Sequence, residues 1–298
     1  MTTAMDKPHR DTIFLEDARV ISHEAFAGDQ FILQVYAPEC ASKARPGCFA
    51  HIRCDRDIPM RRPLSIMRAD PATGEVEFLY KIVGTGLAAL SRIEVGDEVS
   101  MLGPIGNGFS PNPGLPNKLM LGGGVGMPPM VYLAEQLQKN GADLSNSLVV
   151  LGSEVPFPFE PMVSGQPVTG LPDMASHAMP ALEFNHIPSR LASLQGYDGC
   201  FSGYVTDLAK TWLDAAATPP ETTTEVFACG PEPMLEAAAR LAHDYGLECQ
   251  LCLEEYMACA VGGCAGCTVP VYTGGAMAMK RVCVDGPVFG AENIYPSL

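Results

Sequence analysis

Residues 118–139 read KLMLGGGVGMPPMVYLAEQLQK: a short apolar run, a glycine turn and a segment typical of a helix. Pro128 or Pro129 suits the first helical turn, where a missing N–H costs nothing. Two further apolar runs follow, SLVVLGS and EVFACG, and the second precedes the helical segment PMLEAAARLAHDYG. Strands that alternate with helices predict a parallel sheet and an α/β domain.

The residues before this α/β segment have a different pattern. Residues 12–110 contain short β-branched and aromatic runs separated by turn residues, which predict a small antiparallel β-barrel. The proline- and glycine-rich stretch 111–117 is the predicted linker. Residues 153–196 are too long for an ordinary connection, so we interpret them as an insertion that is either a contact surface or a passive loop.

The sequence thus predicts an α+β multi-domain protein with three parts. They are an antiparallel β-barrel at 11–110, a parallel-sheet α/β domain at 117–246 with its insertion at 153–196, and a cysteine-rich module at 247–298.

Composition excludes several functional classes. The chain has 298 residues, 47% hydrophobic and 18% charged, with a net charge of −15. Binding to nucleic acid or anionic lipid needs a basic surface, so neither is expected. No apolar run reaches the roughly 18 residues of a membrane span, and no signal peptide is recognisable, so we expect a cytoplasmic protein. Its eleven cysteines are then expected to be reduced, which favours metal or cofactor ligation for a regularly spaced subset.

Four cysteines near the carboxyl end have such a spacing. Cys259, Cys264, Cys267 and Cys283 form the pattern C-x4-C-x2-C-x15-C, whose first spacings match those of plant-type [2Fe–2S] proteins. The intervening residues are small, so backbone N–H groups can approach the sulfur atoms. Zinc ligation and a set of buried free thiols are the competing interpretations. Cys249 and Cys252 are interpreted as core residues.

The remaining motifs are weak singly, but their order is specific. RPLS at 62–65, KIVGTGL at 81–87, the glycine turn and CGP at 229–231 together resemble the ferredoxin–NADP reductase superfamily. With GPIGNGF, CLEEYMAC and CAGC…RVCVDGPVF added, nearly the whole chain is similar to the electron-transfer subunits of class 1B dihydroorotate dehydrogenases.

That resemblance implies FAD, one [2Fe–2S] cluster, NAD(H) as substrate, and a hetero-oligomer with an FMN-containing catalytic subunit. It also implies roles for particular residues. Arg62, Pro63, Leu64, Ser65, Lys81, Ile82 and Val83 would contact the flavin, and Gly84, Thr85, Gly86 and Leu87 its pyrophosphate. Gly122, Gly123, Gly124, Val125 and Gly126 would form the nicotinamide site with Cys229, Gly230 and Pro231. The four spaced cysteines would hold the cluster.

Three positions depart from the family pattern. Leu87 stands where a threonine is usual, so one hydroxyl is lost. Ala260 replaces a glycine in the cluster loop and would be strained if the site requires a positive φ. Cys48 replaces the glutamine of the barrel's PGQF motif.

Glu154 follows the second strand of the α/β domain, near where NADP-dependent relatives often have an arginine. A carboxylate there can accept hydrogen bonds from a ribose diol and repels a 2′-phosphate, so we expect NADH to be preferred over NADPH. The alternative is that Glu154 is simply a solvated glutamate at the start of the insertion.

The functional hypothesis is an electron-transfer flavoprotein subunit that serves dihydroorotate dehydrogenase in pyrimidine biosynthesis. The alternatives are a related reductase serving a ferredoxin or a hydrogenase module, and a non-catalytic iron–sulfur redox sensor. Once the three parts are assigned, no barrel of about 250 residues remains for a dihydroorotate site.

Overall fold

The computed structural model describes residues 12–216 and 219–298. The polar residues 1–11, including the predicted start of the barrel at residue 11, lie outside the described residues. The predicted fold class is confirmed: an antiparallel barrel is followed by a largely parallel sheet with helices and by a small cysteine-rich module.

The first part is a closed six-stranded barrel in which the strand order is β1-β2-β5-β4-β3-β6. Its interior is filled by alternate apolar side chains, among them Leu33, Ile66 and Phe78, each fully buried. Its elements are β1 (Phe14–Phe26), β2 (Gln30–Tyr36), α1 (Pro38–Lys43), β3 (Phe49–Ile52), β4 (Arg62–Asp70), β5 (Glu75–Lys81), α2 (Gly84–Leu90) and β6 (Glu98–Ile105).

The second part is built on a six-stranded sheet. Its elements are β7 (Asn117–Gly123), α3 (Met127–Lys139), β8 (Leu148–Gly152), β9 (Met162–Val163), β10 (His177–Ala178), α4 (Pro180–Phe184), β11 (Ser189–Ala192), α5 (Val205–Asp214), β12 (Thr224–Cys229), α6 (Glu232–Asp244) and β13 (Glu248–Cys252). As the sequence predicts, α3 begins at the prolines.

The cysteine-rich part has few regular elements: β14 (Thr268–Thr273), β15 (Ala276–Arg281), α7 (Val282–Asp285), β16 (Val288–Gly290) and α8 (Ala291–Ile294). Strands β14 and β15 form a separate hairpin.

The order of the large sheet is β11-β8-β7-β12-β13-β16. Strands β7, β8, β11, β12 and β13 are parallel, and β16 pairs antiparallel with β13. Two of these strands come from the predicted cysteine-rich module, and β11 comes from the predicted insertion. We therefore propose that the insertion proper spans 153–188 and that the module is residues 253–287.

A charged contact joins the barrel to the α/β domain. Arg68 on β4 donates from Nε and Nη2 to the Glu135 carboxylate of α3, at 2.7 and 2.8 Å, and also pairs with Glu77 on β5. The three side chains are largely removed from solvent. Because the guanidinium binds both carboxylates at once, it fixes how α3 lies against the barrel wall. Among the described residues, no helix combines the length and apolar character needed to cross a bilayer.

Replacing Arg68 by Met should lower the free energy of unfolding by about 1–2 kcal/mol, because two half-buried carboxylates lose their partner. Arg240→Met is the matched control, since Arg240 pairs with Glu236 in an exposed helical position and should change stability by less than about 0.5 kcal/mol. Urea denaturation of both variants is the measurement. Equal losses would show that the bridge is not important for domain packing.

Candidate functional site

The four spaced cysteines are brought together at one end of the cysteine-rich module. Cys259 and Cys264 lie at the surface, whereas Cys267 and Cys283 are buried. The backbone N–H of Cys264 donates to Cys259 Sγ at 3.4 Å, and the thiols of Cys267 and Cys283 interact with each other. The N–H of Val282 donates to the carbonyl of Cys267 at 3.0 Å and so draws the distant fourth cysteine to the loop.

The electrostatics of the two pairs differ. Slight burial raises the pKa of Cys259, but hydrogen bonds from backbone N–H groups of the loop and from Cys264 outweigh it and lower that pKa to about 7. Burial and the neighbouring Cys267 thiol raise the pKa of Cys283 to about 12. Cys259 is thus prepared to be a thiolate, whereas Cys283 needs the positive charge of a bound metal to lose its proton.

The thiols are arranged in two pairs, Cys259 with Cys264 and Cys267 with Cys283. A structural zinc site needs four ligands around one ion. The two irons of a [2Fe–2S] cluster share four cysteines, two to each iron, and the paired thiols fit that requirement.

The backbone at Ala260 has the positive φ that would strain an alanine. Its φ is +56°, a left-handed conformation that costs an alanine more than a glycine. The methyl group is 1% exposed and packs with Phe49, Ile105 and Val282. That packing offsets part of the strain, so the chain tolerates alanine where the family pattern has glycine.

Two residues that the sequence analysis did not single out fix this loop. Arg281 donates from Nη1 to the carbonyl of Gly262 at 3.1 Å while its Nε binds Asp285. Asn107, in the GPIGNGF motif, donates from Nδ2 to the carbonyls of Val284 and Asp285 at 3.2 Å. Asn107 belongs to the barrel's end, so its role here can be seen only once the two segments are folded together.

The predicted flavin residues lie along β4, the end of β5 and the start of α2. A Cβ on Gly86 would come within 2.8 Å of the Arg62 guanidinium, so α2 passes close to the charged end of that side chain. The first turn of α2 therefore presents backbone N–H groups next to a cation, an arrangement suited to a pyrophosphate.

The other residues of this group differ in their exposure. Gly84 and Thr85 are exposed, and Val83 presents an apolar side chain that is 71% exposed. Pro63, Ser65, Lys81 and Ile82 are half-buried, whereas Leu64 is buried. The Leu87 side chain packs into the barrel core, so only its backbone is available to a ligand.

The glycine turn and the CGP segment meet at the carboxyl edge of the sheet. A Cβ on Gly126 would lie 2.4 Å from the carbonyl oxygen of Cys229, so only glycine permits this approach. Met234, one turn into α6, lies against both Gly123 and Gly230. Strands β7 and β12 are neighbours, which places their two loops side by side where open α/β sheets bind ligands.

Glu154 lies at the same edge, two residues beyond the end of β8, and its side chain is exposed. The loop around it is well held: Ser193 Oγ donates to the carbonyl of Ser153 at 2.7 Å. The barrel reaches this loop too, since Gln30 Nε2 donates to the carbonyl of Pro156 at 2.7 Å.

His51 on β3 is a further residue that sequence reasoning missed. It is 1% exposed, and its two ring nitrogens have no well-formed hydrogen bond. Burial, reinforced by the charge of Arg61, lowers its pKa to about 4, so the ring is neutral. It lies between the strand of the flavin residues and the backbone of Met257 in the cysteine-rich module.

Strand β3 lies between the proposed flavin strand β4 and the four cysteines. Phe49 on β3 is paired in register with Ser65 on β4, and its side chain packs in one apolar cluster with Cys267, Cys283 and Ala260. Groups bound at the two sites would therefore be separated by about one strand of protein.

Comparisons with known proteins agree with this geometry. Residues 254–295 match the family model for the iron-sulfur cluster binding domain of dihydroorotate dehydrogenase B. A protein from Shouchella clausii named dihydroorotate dehydrogenase B (NAD(+)), electron transfer subunit, is 32% identical over 276 residues, which are 91% of this chain and 94% of that protein. A protein of the same name from Bacillus caldolyticus is 34% identical over 254 residues, 84% of this chain and 86% of that one.

Solved structures share the fold. An NADH-dependent reduced ferredoxin–NADP oxidoreductase, described in connection with flavin-based electron bifurcation, has a TM-score of 0.74 and 25% identity over 94% of this chain and 90% of its own. The cytochrome b5 reductase domain of Ulva prolifera nitrate reductase has a TM-score of 0.57 and 19% identity, covering 79% of this chain and 94% of its own. The second likeness concerns the fold alone.

Changing Cys264 to Ser should abolish the cluster while flavin stays bound, because the two sites lie on different parts of the chain. The wild-type chain should contain about two irons and two labile sulfides, and the variant close to none. Metal analysis and visible absorption of anaerobically prepared protein are the measurements. Cys249→Ser is the control and should keep its cluster; zinc without sulfide in the wild-type protein would refute the assignment.

Proposed function

This chain belongs to the family of dihydroorotate dehydrogenase B electron transfer subunits, and from that premise we propose how its residues carry electrons. The chain passes electrons between NAD(H), FAD and a [2Fe–2S] cluster. We propose that it favours NADH, that the site residues identified above hold the three groups, and that its partner is an FMN-containing catalytic subunit.

The proposal rests mainly on β3, which contacts both the proposed flavin strand and the proposed cluster ligands. Ser65, beside the proposed flavin, is paired with Phe49, and Phe49 packs against two of the proposed cluster ligands. When bound, FAD accepts a pair of electrons from a nicotinamide and releases them one at a time to a one-electron acceptor. The residues of β3 and β4 supply the positions that make such a transfer short.

The cation of Arg62 and the first turn of α2 are proposed to bind the flavin pyrophosphate. Gly86 allows the guanidinium to lie close to that turn, so charge and backbone donors act on one ligand. The chain needs no acid–base residue to move a hydride; its residues bind, orient and exclude water.

The nicotinamide nucleotide is proposed to bind where the glycine turn meets Cys229 and Gly230. This edge of the sheet is next to β4 because α3, which starts at the glycine turn, packs directly against the barrel and is fixed there by Arg68. The contact between α3 and the barrel therefore brings the proposed nucleotide-binding edge of the sheet towards β4.

The cluster end of the chain has the exposed apolar side chains that a partner surface requires. Tyr256 is 94% exposed, Val261 50%, Met277 56% and Met279 55%, all in the cysteine-rich module. Exposed apolar side chains that belong to one module are typical of a protein interface. We propose that the catalytic subunit covers these side chains and receives electrons from the cluster. We also propose a cytoplasmic location, where a reducing environment keeps the cysteines available for a cluster.

The barrel, the sheet with its insertion and the module account for the described residues, so none of these residues remain to form a dihydroorotate site. With NADH, the chain alone should therefore reduce artificial acceptors but not oxidise dihydroorotate. Adding the FMN-containing subunit should confer NAD⁺-dependent oxidation of dihydroorotate. Met277→Glu should weaken that association roughly tenfold, because it places a charge in the proposed interface. Val95→Glu, a change at a barrel residue 66% exposed, is the control. Co-purification and titration of activity with the partner are the measurements; recovery of another oxidoreductase as the native partner would refute the proposal.

Glu154→Gln should reduce the preference for NADH over NADPH by roughly tenfold, about 1.4 kcal/mol, because the carboxylate no longer repels a 2′-phosphate. Steady-state kcat/KM with both nucleotides is the measurement, and Glu160→Gln, a change at an exposed glutamate in the same segment, is the control. A wild-type chain that uses NADPH as well as NADH would contradict the role given to Glu154.

A further inference from the structure

A pair of buried thiols lies at the nucleotide edge of the sheet. Cys229 is the last residue of β12 and Cys252 the last residue of β13, and the two are directly paired across these parallel strands. Their side chains belong to one apolar cluster, with exposures of 0% and 3%. Sequence reasoning assigned Cys229 to the nicotinamide site and treated Cys252 as an incidental core residue.

The geometry of the pair suits a disulfide. Paired residues on neighbouring strands have Cα atoms about 4.8 Å apart and side chains on the same face. A disulfide is formed across Cα separations of about 4.4–6.8 Å. The two thiols already interact, and this interaction together with complete burial raises the pKa of Cys229 well above its ordinary value. Cys229 is therefore held as a thiol, and burial shields both sulfurs from oxidants in solution.

The pair contacts the segment that leads into β3, which is in turn hydrogen-bonded to the flavin strand β4. Cys252 Sγ lies 3.9 Å from the carbonyl oxygen of Gly47, and the next residue, Cys48, accepts a hydrogen bond at its carbonyl from Ile66, the neighbour of Ser65. A continuous path of three backbone segments thus connects the thiols to the proposed flavin contacts.

Glu254 follows Cys252 by two residues, and its side chain is exposed. Its charge acts on Cys229 and contributes to the raised pKa of that thiol.

We propose that Cys229 and Cys252 form a redox-active dithiol that exchanges an electron pair with the flavin, in addition to the one-electron route through the cluster. Oxidation breaks two S–H bonds and forms one S–S bond; the two electrons and two protons pass to oxidised FAD, giving FADH2. The reverse step reopens the disulfide with electrons that NADH supplies. This proposal rests on the flavin site proposed above.

Reductive titration tests the electron count. The full chain, loaded with FAD and cluster and oxidised with ferricyanide, should take up about five electrons from dithionite: two for FAD, one for the cluster and two for the pair. Cys252→Ser should take up about three. Cys249→Ser, the matched control, removes a buried thiol from the same strand on its other face and should still take up about five. Three electrons in the wild-type chain, or five in Cys252→Ser, would overturn the proposal.

Thiol mapping is the second readout and does not depend on electron transfer. After quenching in denaturant with an alkylating reagent, mass spectrometry should find the Cys229 and Cys252 peptides linked in the oxidised chain and both alkylated after NADH. Two alkylated thiols in the ferricyanide-oxidised wild-type chain would refute the pair, even if Cys252→Ser failed to fold. FAD absorbance and iron content of the same samples test the proposed function separately. A chain that binds no FAD would contradict the proposed function. A linked Cys229–Cys252 peptide that dithiothreitol reduces would still support the disulfide in that case.

Discussion

The packing of the cysteine-rich segment onto the outer face of β3 is the contact on which the electron path depends. Electron transfer between two bound groups requires a short separation, and here that separation is set by side chains rather than by a flexible loop. Phe49 faces the cluster ligands while its neighbours Ala50 and Ile52 fill the barrel interior. The alternation of a single strand therefore serves two purposes: one face stabilises the barrel and the other supports the cluster.

The sequence predicted the parts of the fold that depend on local chemistry. The glycine turn before α3, the CGP segment after β12 and the cysteine spacing all concern residues close in sequence, and the structure brings each set together. Strand β11 and the return of β16 were missed because their partners are distant in sequence. A four-residue strand such as β11 has no periodicity of its own; its place follows from its pairing with β8.

The candidate site was predictable to a similar extent. The proposed ligand cysteines could be named from their spacing, but Arg281 and Asn107, which hold the segments around them, could not. Their roles depend on contacts between segments 19 and more residues apart, such as the bond from Arg281 to Gly262. His51 gave no signal either, since a histidine in a β-strand is as often exposed as buried, and only the packing of the module over β3 removes it from water.

The antiparallel return of β16 beside β13 has a consequence for the motion of the cluster. Residues 253–287 leave the sheet from one strand and re-enter it on the adjacent strand, so both ends of the excursion are hydrogen-bonded to the same framework. A redox domain that moves between a donor and an acceptor is joined to the rest of its protein by a single flexible linker, so its distance from each partner varies. A segment closed at its base cannot swing in that way. The segment that carries the four cysteines is therefore held in a fixed position relative to the sheet, and that position is set when the chain folds.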